Sequence, residues 1–329
     1  MMQQVGLLAV ILLLSLVLVR FSGTHVDRET GQTVSNFFNP GSLVQILTET
    51  SFFAIMAVGM TLVIVSGGID LSIGSVYALA GVGMALTMRA AGWDSPWLAL
   101  ALCIGFGLLA GVLNGTMVAT LGVHPFIVTL GTMWVFRGVA FVVSKAESVL
   151  VPGPVTDFAK NPLFLGKGLT PVPAIVMGLF ILGGALYLNR TTMGRRVLAV
   201  GGNADAARYA GLPIPYILAG VYVIAGLGAG IAAFLGAAYF GSASSADANG
   251  YELYVIASAV VGGVSLNGGR GTVTGAFLGA LLIVLIRTGI RLLRLDQNYE
   301  WIIIGAAIII AVVLDRLGAR LLEKRMVNG

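Results

Sequence analysis

The sequence predicts an all-α, polytopic transmembrane helical bundle of about ten spans, some of them broken or re-entrant. Three observations carry this reading. Only 10% of the 329 residues are charged and 57% are hydrophobic, with a mean hydropathy of +0.97. A soluble domain carries about 25% charged residues, so this chain lacks the polar groups to cover a water-facing surface. The apolar residues gather in runs close to the ~20 residues that a helix needs to cross a bilayer. Two neighbouring pairs of runs meet at Gly-Gly sequences with hardly any loop between them. The chain, 1–329, reads as one integral membrane unit.

In chain order the runs lie near 5–21, 44–66, 71–89, 97–121, 125–143, 172–189, 216–238, 251–266, 271–290 and 299–314. The first lacks a basic leader region and an A-x-A-like cleavage site, so a retained span is expected there. The run after Tyr251 is short. Glycines recur at four-residue spacing at Gly107, Gly111 and Gly115, at Gly226 and Gly230, and at Gly271, Gly275 and Gly279. On a helix this spacing places them on one face, where backbones approach closely. Such faces announce tight packing and say nothing of a substrate.

Lysine and arginine set orientation. Segment 190–215 holds Arg190, Arg195, Arg196 and Arg208, and the tail holds Arg316, Arg320, Lys324 and Arg325. Both are expected on the cytoplasmic side, and counting back six spans puts the N-terminus there too. Arg287, Arg291 and Arg294 fall on the outer side and dissent; snorkelling or contact with a partner would accommodate them. Segment 144–171, with Lys145, Lys160 and Lys167, also falls outside and is long enough for a small external cap.

Several classes are excluded. A single cysteine, Cys103, permits no internal disulfide and no four-cysteine metal site. His25 and His124 lie far apart without HExxH spacing, and no metal site is expected. The net charge of +5 is spread over the flanks of apolar runs and does not indicate nucleic-acid binding. No paired carboxylates or nucleophile-base arrangement support catalysis.

The stretch "SGGIDLSIGS", Ser66 to Ser75, places an acid inside an apolar region. A second stretch, "GGVSLNGG", Gly262 to Gly269, matches "GGIDLSIG", Gly67 to Gly74, in pattern. Paired glycine-broken segments in two halves of a chain point to a transport path at a repeat interface. Backbone freed by such a break is tolerated at membrane depth only against protein or a water-filled cavity. An Asp at mid-membrane costs about 2.5–3.5 kcal/mol on insertion scales and so needs partners. Two roles are open for Asp70: capping the helix that follows, or hydrogen-bonding a polyol in the path. Asn114 either bonds between helices or lines that path. Thr129 and Thr132 either face it or bond back to their own helix. Arg137 is expected to pack or snorkel, Phe126 and Trp134 to anchor, and Asp247 and Glu252 to sit in a solvated outer loop.

Four motifs carry a resemblance: "GMTLVIVSGGIDLSIGSVYALAG", "NGTMVATLGVHPFIVTLGTMWVFRG", "TTMGRRVLAVGGNADAARYAGLP" and "ASAVVGGVSLNGGRGTVTGAFLGA". In this order, over about Phe37 to Leu314, the chain resembles the ribose-type permease subunits of bacterial ABC sugar importers. That group lies within a wider one that includes branched-chain amino acid permeases, and "SGGIDLS" with "FIVTLGTM" favours the sugar branch. The resemblance implies a multi-pass protein of the bacterial inner membrane, embedded in lipid, with both termini cytoplasmic. It implies a homodimer or a heterodimer with a sibling permease. It implies two further partners, a periplasmic sugar-binding protein and a separate ATPase subunit. No stretch fits G-x-x-x-x-G-K-[ST], so the chain is read as a non-enzymatic subunit that binds no cofactor, ATP being used by its partner.

The path is then expected at Gly67, Gly68, Asp70, Ser72, Ser75, Asn114, Thr129, Thr132, Gly262, Gly263 and Asn267. Coupling to the ATPase is expected at Gly194, Arg195, Arg196, Gly201, Gly202, Asn203 and Asp205, within segment 190–215. There "ADAARYAGL" reads as a short helix with Asn203 as N-cap, Asp205 in the first turn and Gly211 at its end. The bland alternative is a basic loop held by anionic lipid headgroups. The expected function is import of a monosaccharide by alternating access. The rivals are a permease of the same group for a branched-chain amino acid, nucleoside or sugar-like signal, an ion-driven secondary transporter, and a membrane-embedded enzyme.

Overall fold

The computed structural model describes residues 2–26, 31–163, 165, 169–307, 309–310 and 313. Among them, eight helices are long and apolar enough to cross a membrane: α1 (Met2–Phe21), α2 (Pro40–Val65), α3 (Ile73–Ala91), α4 (Pro96–Thr120), α5 (Pro125–Ser144), α7 (Val172–Arg190), α10 (Ile214–Phe240) and α12 (Val273–Leu292). Shorter helices are α6 (Gly153–Ala159), α8 (Thr192–Gly202), α9 (Ala204–Tyr209) and α11 (Tyr251–Val261). Among the described residues, strands are confined to two small antiparallel pairs, β1 (Thr24–Val26) with β2 (Thr33–Ser35), and β3 (Val149–Leu150) with β4 (Ser242–Ala243).

The sequence count differs at two places. The run after Tyr251 forms α11, of 11 residues. At 1.5 Å per residue it reaches about half-way through a ~30 Å hydrocarbon layer. The tenth run is helical over 299–307, and the rest of it is only partly among the described residues. The basic tail from Arg316 to Arg325, and Lys167, lie outside them.

Proline and capping residues start the long helices. Asn39 accepts from the Ser42 amide ahead of α2, with Pro40 at the first helical position. The most hydrophobic 18-residue window of α2 is 94% buried, against 17% for α1. A helix apolar all round belongs in the interior, and α2 is that axis, packed by α7, α10, α11 and α12. α1 lies outside, along α12.

The glycine faces do the packing their spacing announced, except that Gly271 falls ahead of α12 and lies against Val65 and Val264. Gly107, Gly111 and Gly115 of α4 meet α10 so closely that a methyl group at Gly111 would sit 2.6 Å from the Tyr222 oxygen. At Gly115 it would sit 2.7 Å from that of Ala219. Gly226 and Gly230 return the fit, and Gly275 and Gly279 seat α12 against α11.

The bundle has two ends. One carries α8 and α9, the end of α2, and the segment between α11 and α12; Gln4 Nε2 donates to Thr272 Oγ1 there at 2.6 Å, bringing the start of α1 to the same end. The opposite end carries the β3–β4 pair and α6, whose Phe158 meets Trp97 edge-on and Phe234 at a tilt. Segment 144–171 contributes β3 and α6 to this cap. Two of the dissenting arginines are explained at the same end. Arg291 grips Glu49 with two bonds of 3.0 and 2.8 Å. Arg287 meets Glu300 at 2.9 Å and lies over the rings of Phe53 and Tyr254. Both are thus paired within the chain, where the sequence had suggested snorkelling or an outside partner.

Candidate functional site

Both glycine breaks are Schellman caps. After α2, the Gly67 amide donates to Ile64 O and the Gly68 amide to Val63 O, each at 2.9 Å, with Gly67 at φ +91°. After α11, the Gly263 amide donates to Val260 O at 2.9 Å and the Val264 amide to Ala259 O at 3.0 Å, with Gly263 at φ +95°. A positive φ explains one glycine of each pair. The structural equivalence is Gly67 with Gly263. That is one residue away from the Gly67–Gly262 pairing read from sequence. Gly262 is needed for another reason: a side chain there would strike the Gly275 carbonyl. Beyond the cap the two differ. The first re-enters helix at Ile73, whereas the second runs on to Val273 through two more positive-φ glycines, Gly268 and Gly269.

Asp70 sits in the first break and is 3% exposed. Its Oδ1 accepts from the Ser72 amide at 2.9 Å and from Ser72 Oγ at 2.7 Å. Ser72 Oγ in turn accepts from Asn114 Nδ2 of α4 at 2.7 Å. The helix cap expected of Asp70 is not made: Ser72 stands at the N-cap of α3, and Asp70 instead forms an Asx turn on it, extended by a bond to a neighbouring helix. The carbonyl of Ile69, freed by the break, has Tyr222 Oη and Thr129 Oγ1 each at 3.2 Å. This is the protein partner that buried irregular backbone demands. Thr129 also bonds back to Pro125 O at 3.0 Å, and Thr132 bonds back to Thr129 O without joining the cluster.

Gly67, Gly68, Asp70, Ser72, Asn114 and Thr129 are thus brought together, with Ser75 one turn along. Ser75 Oγ and Asn114 Oδ1 are buried without a hydrogen-bond partner among the described residues. Asn267 stands apart, exposed at the tip of the second break. Tyr222 was missed. Its only signal was a phenol inside the apolar run of α10. Arg137 packs, as expected, by stapling the chain after β4: it donates to the carbonyls of Ser245 and Asp247 at 2.7 and 2.6 Å. Asp247 and Glu252, expected in a solvated loop, are instead partly enclosed; Asp247 Oδ2 accepts from the Ser244 amide at 2.8 Å, and Glu252 Oε2 is a buried atom without a partner among the described residues.

At the α8 end, Thr191 caps α8 by accepting from the Gly194 amide at 3.0 Å. Gly194 is required because a side chain would strike the carbonyls of Tyr187 and Leu188 at the α7–α8 corner. α8 was not legible as a helix. It buries Val197 and Val200 and leaves Arg195 exposed and Arg196 partly so. α9 follows the sequence reading: Asn203 Oδ1 accepts from the Ala206 amide at 2.9 Å, and Gly211 closes the helix at φ +74°. Asp205 lies 3.8 Å from Arg208 on its exposed face.

The family model for the branched-chain amino acid transport system permease component matches residues 42–312. The chain belongs to this permease family. Within it the chain groups with ribose-type sugar permeases. It is 38% identical over 287 residues to the ribose import permease protein of Escherichia coli K12, covering 85% of this chain and 87% of that protein. It is 37% identical over 286 residues to the D-allose transport system permease protein of the same organism, covering 85% of each. Against the fructose import permease protein of Rhizobium meliloti it is 33% identical over 285 residues, covering 85% of this chain and 79% of that protein. The preference for the sugar branch drawn from "SGGIDLS" and "FIVTLGTM" is borne out, and so is the all-α membrane bundle.

Proposed function

We propose that this chain is the membrane-spanning permease subunit of an ATP-driven importer of a monosaccharide. It acts as one integral unit, paired with a second copy or a sibling permease. The α8 end faces the cytoplasm and receives a separate ATPase subunit. The opposite end faces a periplasmic binding protein. Sugar passes beside the first glycine break, where Asp70, Ser72, Asn114 and Thr129 meet and where Ser75 and Asn114 keep hydrogen-bonding capacity in reserve. Affinity resides in the binding protein, so a path of hydroxyls, an amide and one engaged carboxylate suits brief contacts with a polyol.

The observation that carries this reading is the capped α8–α9 pair. It is an amphipathic projection with Arg195, Asp205, Arg208 and Tyr209 exposed, and it is joined to the bundle at both glycine breaks. A short helix of this kind converts the movement of a docked partner into movement of the spans. The relatives named for ribose, D-allose and fructose support a monosaccharide cargo. Arg195→Glu with Arg196→Glu is expected to abolish ATPase docking and sugar uptake while the chain still inserts in the membrane. Co-purification with the ATPase subunit and uptake by intact cells check this. Wild-type uptake in the double variant overturns the assignment of α8.

A further inference from the structure

The end of α8 touches both glycine breaks at once, and it does so backbone to backbone. The Gly269 amide donates to Val65 O at 2.8 Å, tying the second break to the last residue of α2. Gly201 lies against that bond. A methyl group on Gly201 would collide with Val65 O and come 2.8 Å from Gly269 N. From the other side, a methyl group on Gly268 would sit 2.6 Å from Gly201 O, and one on Gly269 would sit 2.6 Å from Gly202 Cα. Four glycines and a carbonyl therefore form one junction with no side chain between the three segments. Gly202 differs from Gly201: a methyl group there meets only Gly269 Cα, at 3.9 Å.

We infer that Gly201 is the positioning residue of this junction, through which α8 moves both interrupted hairpins together. The inference rests on the permease reading above and specifies where the stroke enters the path. Side chains rotate and absorb displacement, whereas backbone in direct contact passes it on. Because the amide of the second break is bonded to the carbonyl of the first, the two hairpins shift as one body when α8 shifts. The same contacts explain why α8 needs a glycine at 201.

The test uses the assembled importer, this chain with its ATPase subunit and binding protein, in proteoliposomes. The probe is whichever of D-ribose, D-allose and D-fructose the parent complex imports. Gly201→Ala is expected to lower ATP-dependent uptake about tenfold or more while ATP hydrolysis stays within about twofold of the parent, the signature of a broken link. Gly105→Ala, on α4 with nothing within 4 Å of the added methyl group, is expected to import like the parent. A second variant bypasses folding. Gly202→Cys, assembled first and then modified with a bulky methanethiosulfonate reagent, is expected to lose uptake but not ATP hydrolysis, and to regain uptake when a reductant removes the adduct. Cys103 is buried and does not compete. Parent-like uptake by Gly201→Ala or by the modified Gly202→Cys complex overturns the inference. So does release of the ATPase on modification, which would make Gly202 part of the docking face. A parent complex that imports none of the three sugars with ATP overturns the monosaccharide-importer reading itself.

Discussion

Asp70 shows what one buried acid can do when its neighbours are chosen for it. Its Oδ1 holds the amide and the hydroxyl of Ser72, and that hydroxyl holds Asn114. Removing the carboxylate orphans buried donors at about 1–3 kcal/mol each. Asp70→Leu is therefore expected to lower the Tm of the detergent-purified protein clearly more than Asp70→Asn, which keeps an acceptor oxygen; thermal unfolding followed by tryptophan fluorescence checks the order. The local half of this cluster was legible, because Gly-Gly followed by Asp and Ser lies within a few residues. The distant half was not. Tyr222 reaches Ile69 across 153 positions and Thr129 across 60, and nothing in a single sequence marks such pairs.

Among the elements, the contrast between α4 and α11 is instructive. Glycine spacing disclosed the α4–α10 contact, since close approach needs small residues at one helical face. Gly111→Leu is expected to wedge the two helices apart, with most of the folded protein lost on detergent extraction, because the added side chain meets the Tyr222 carbonyl at 2.6 Å and Val223 Cα at 2.9 Å. Gly105→Leu, on the same helix with nothing within 4 Å, is expected to extract at wild-type yield. α11 was read as short, over 251–266, but its end at Val261 was not disclosed, since a Schellman cap can close an apolar run without a polar residue to mark it. α8 escaped notice for the opposite reason. Its Gly-Gly end and paired arginines weaken the helical pattern, and Thr191 as its cap becomes evident only once the α7–α8 corner is seen.

At the scale of the whole molecule, α12 and the segment that leads into it are fastened to α2 at both ends of the bundle. Gly269 and Val65 make one fastening and Arg291 with Glu49 the other. The two are unequal. The ion pair is partly exposed, with side-chain exposures of 44% and 18%, and such pairs contribute about 0–1 kcal/mol. Glu49→Gln is expected to leave Tm nearly unchanged and uptake intact, measured side by side with the parent. Sequence charge counting left Arg291 unexplained because its partner lies 242 residues earlier. The near-total enclosure of α2 reaches back to the order of synthesis. α2 precedes α7, α10, α11 and α12 in the chain, so it is synthesised before the helices that surround it. The helices that enclose it must therefore gather round an axis made before them.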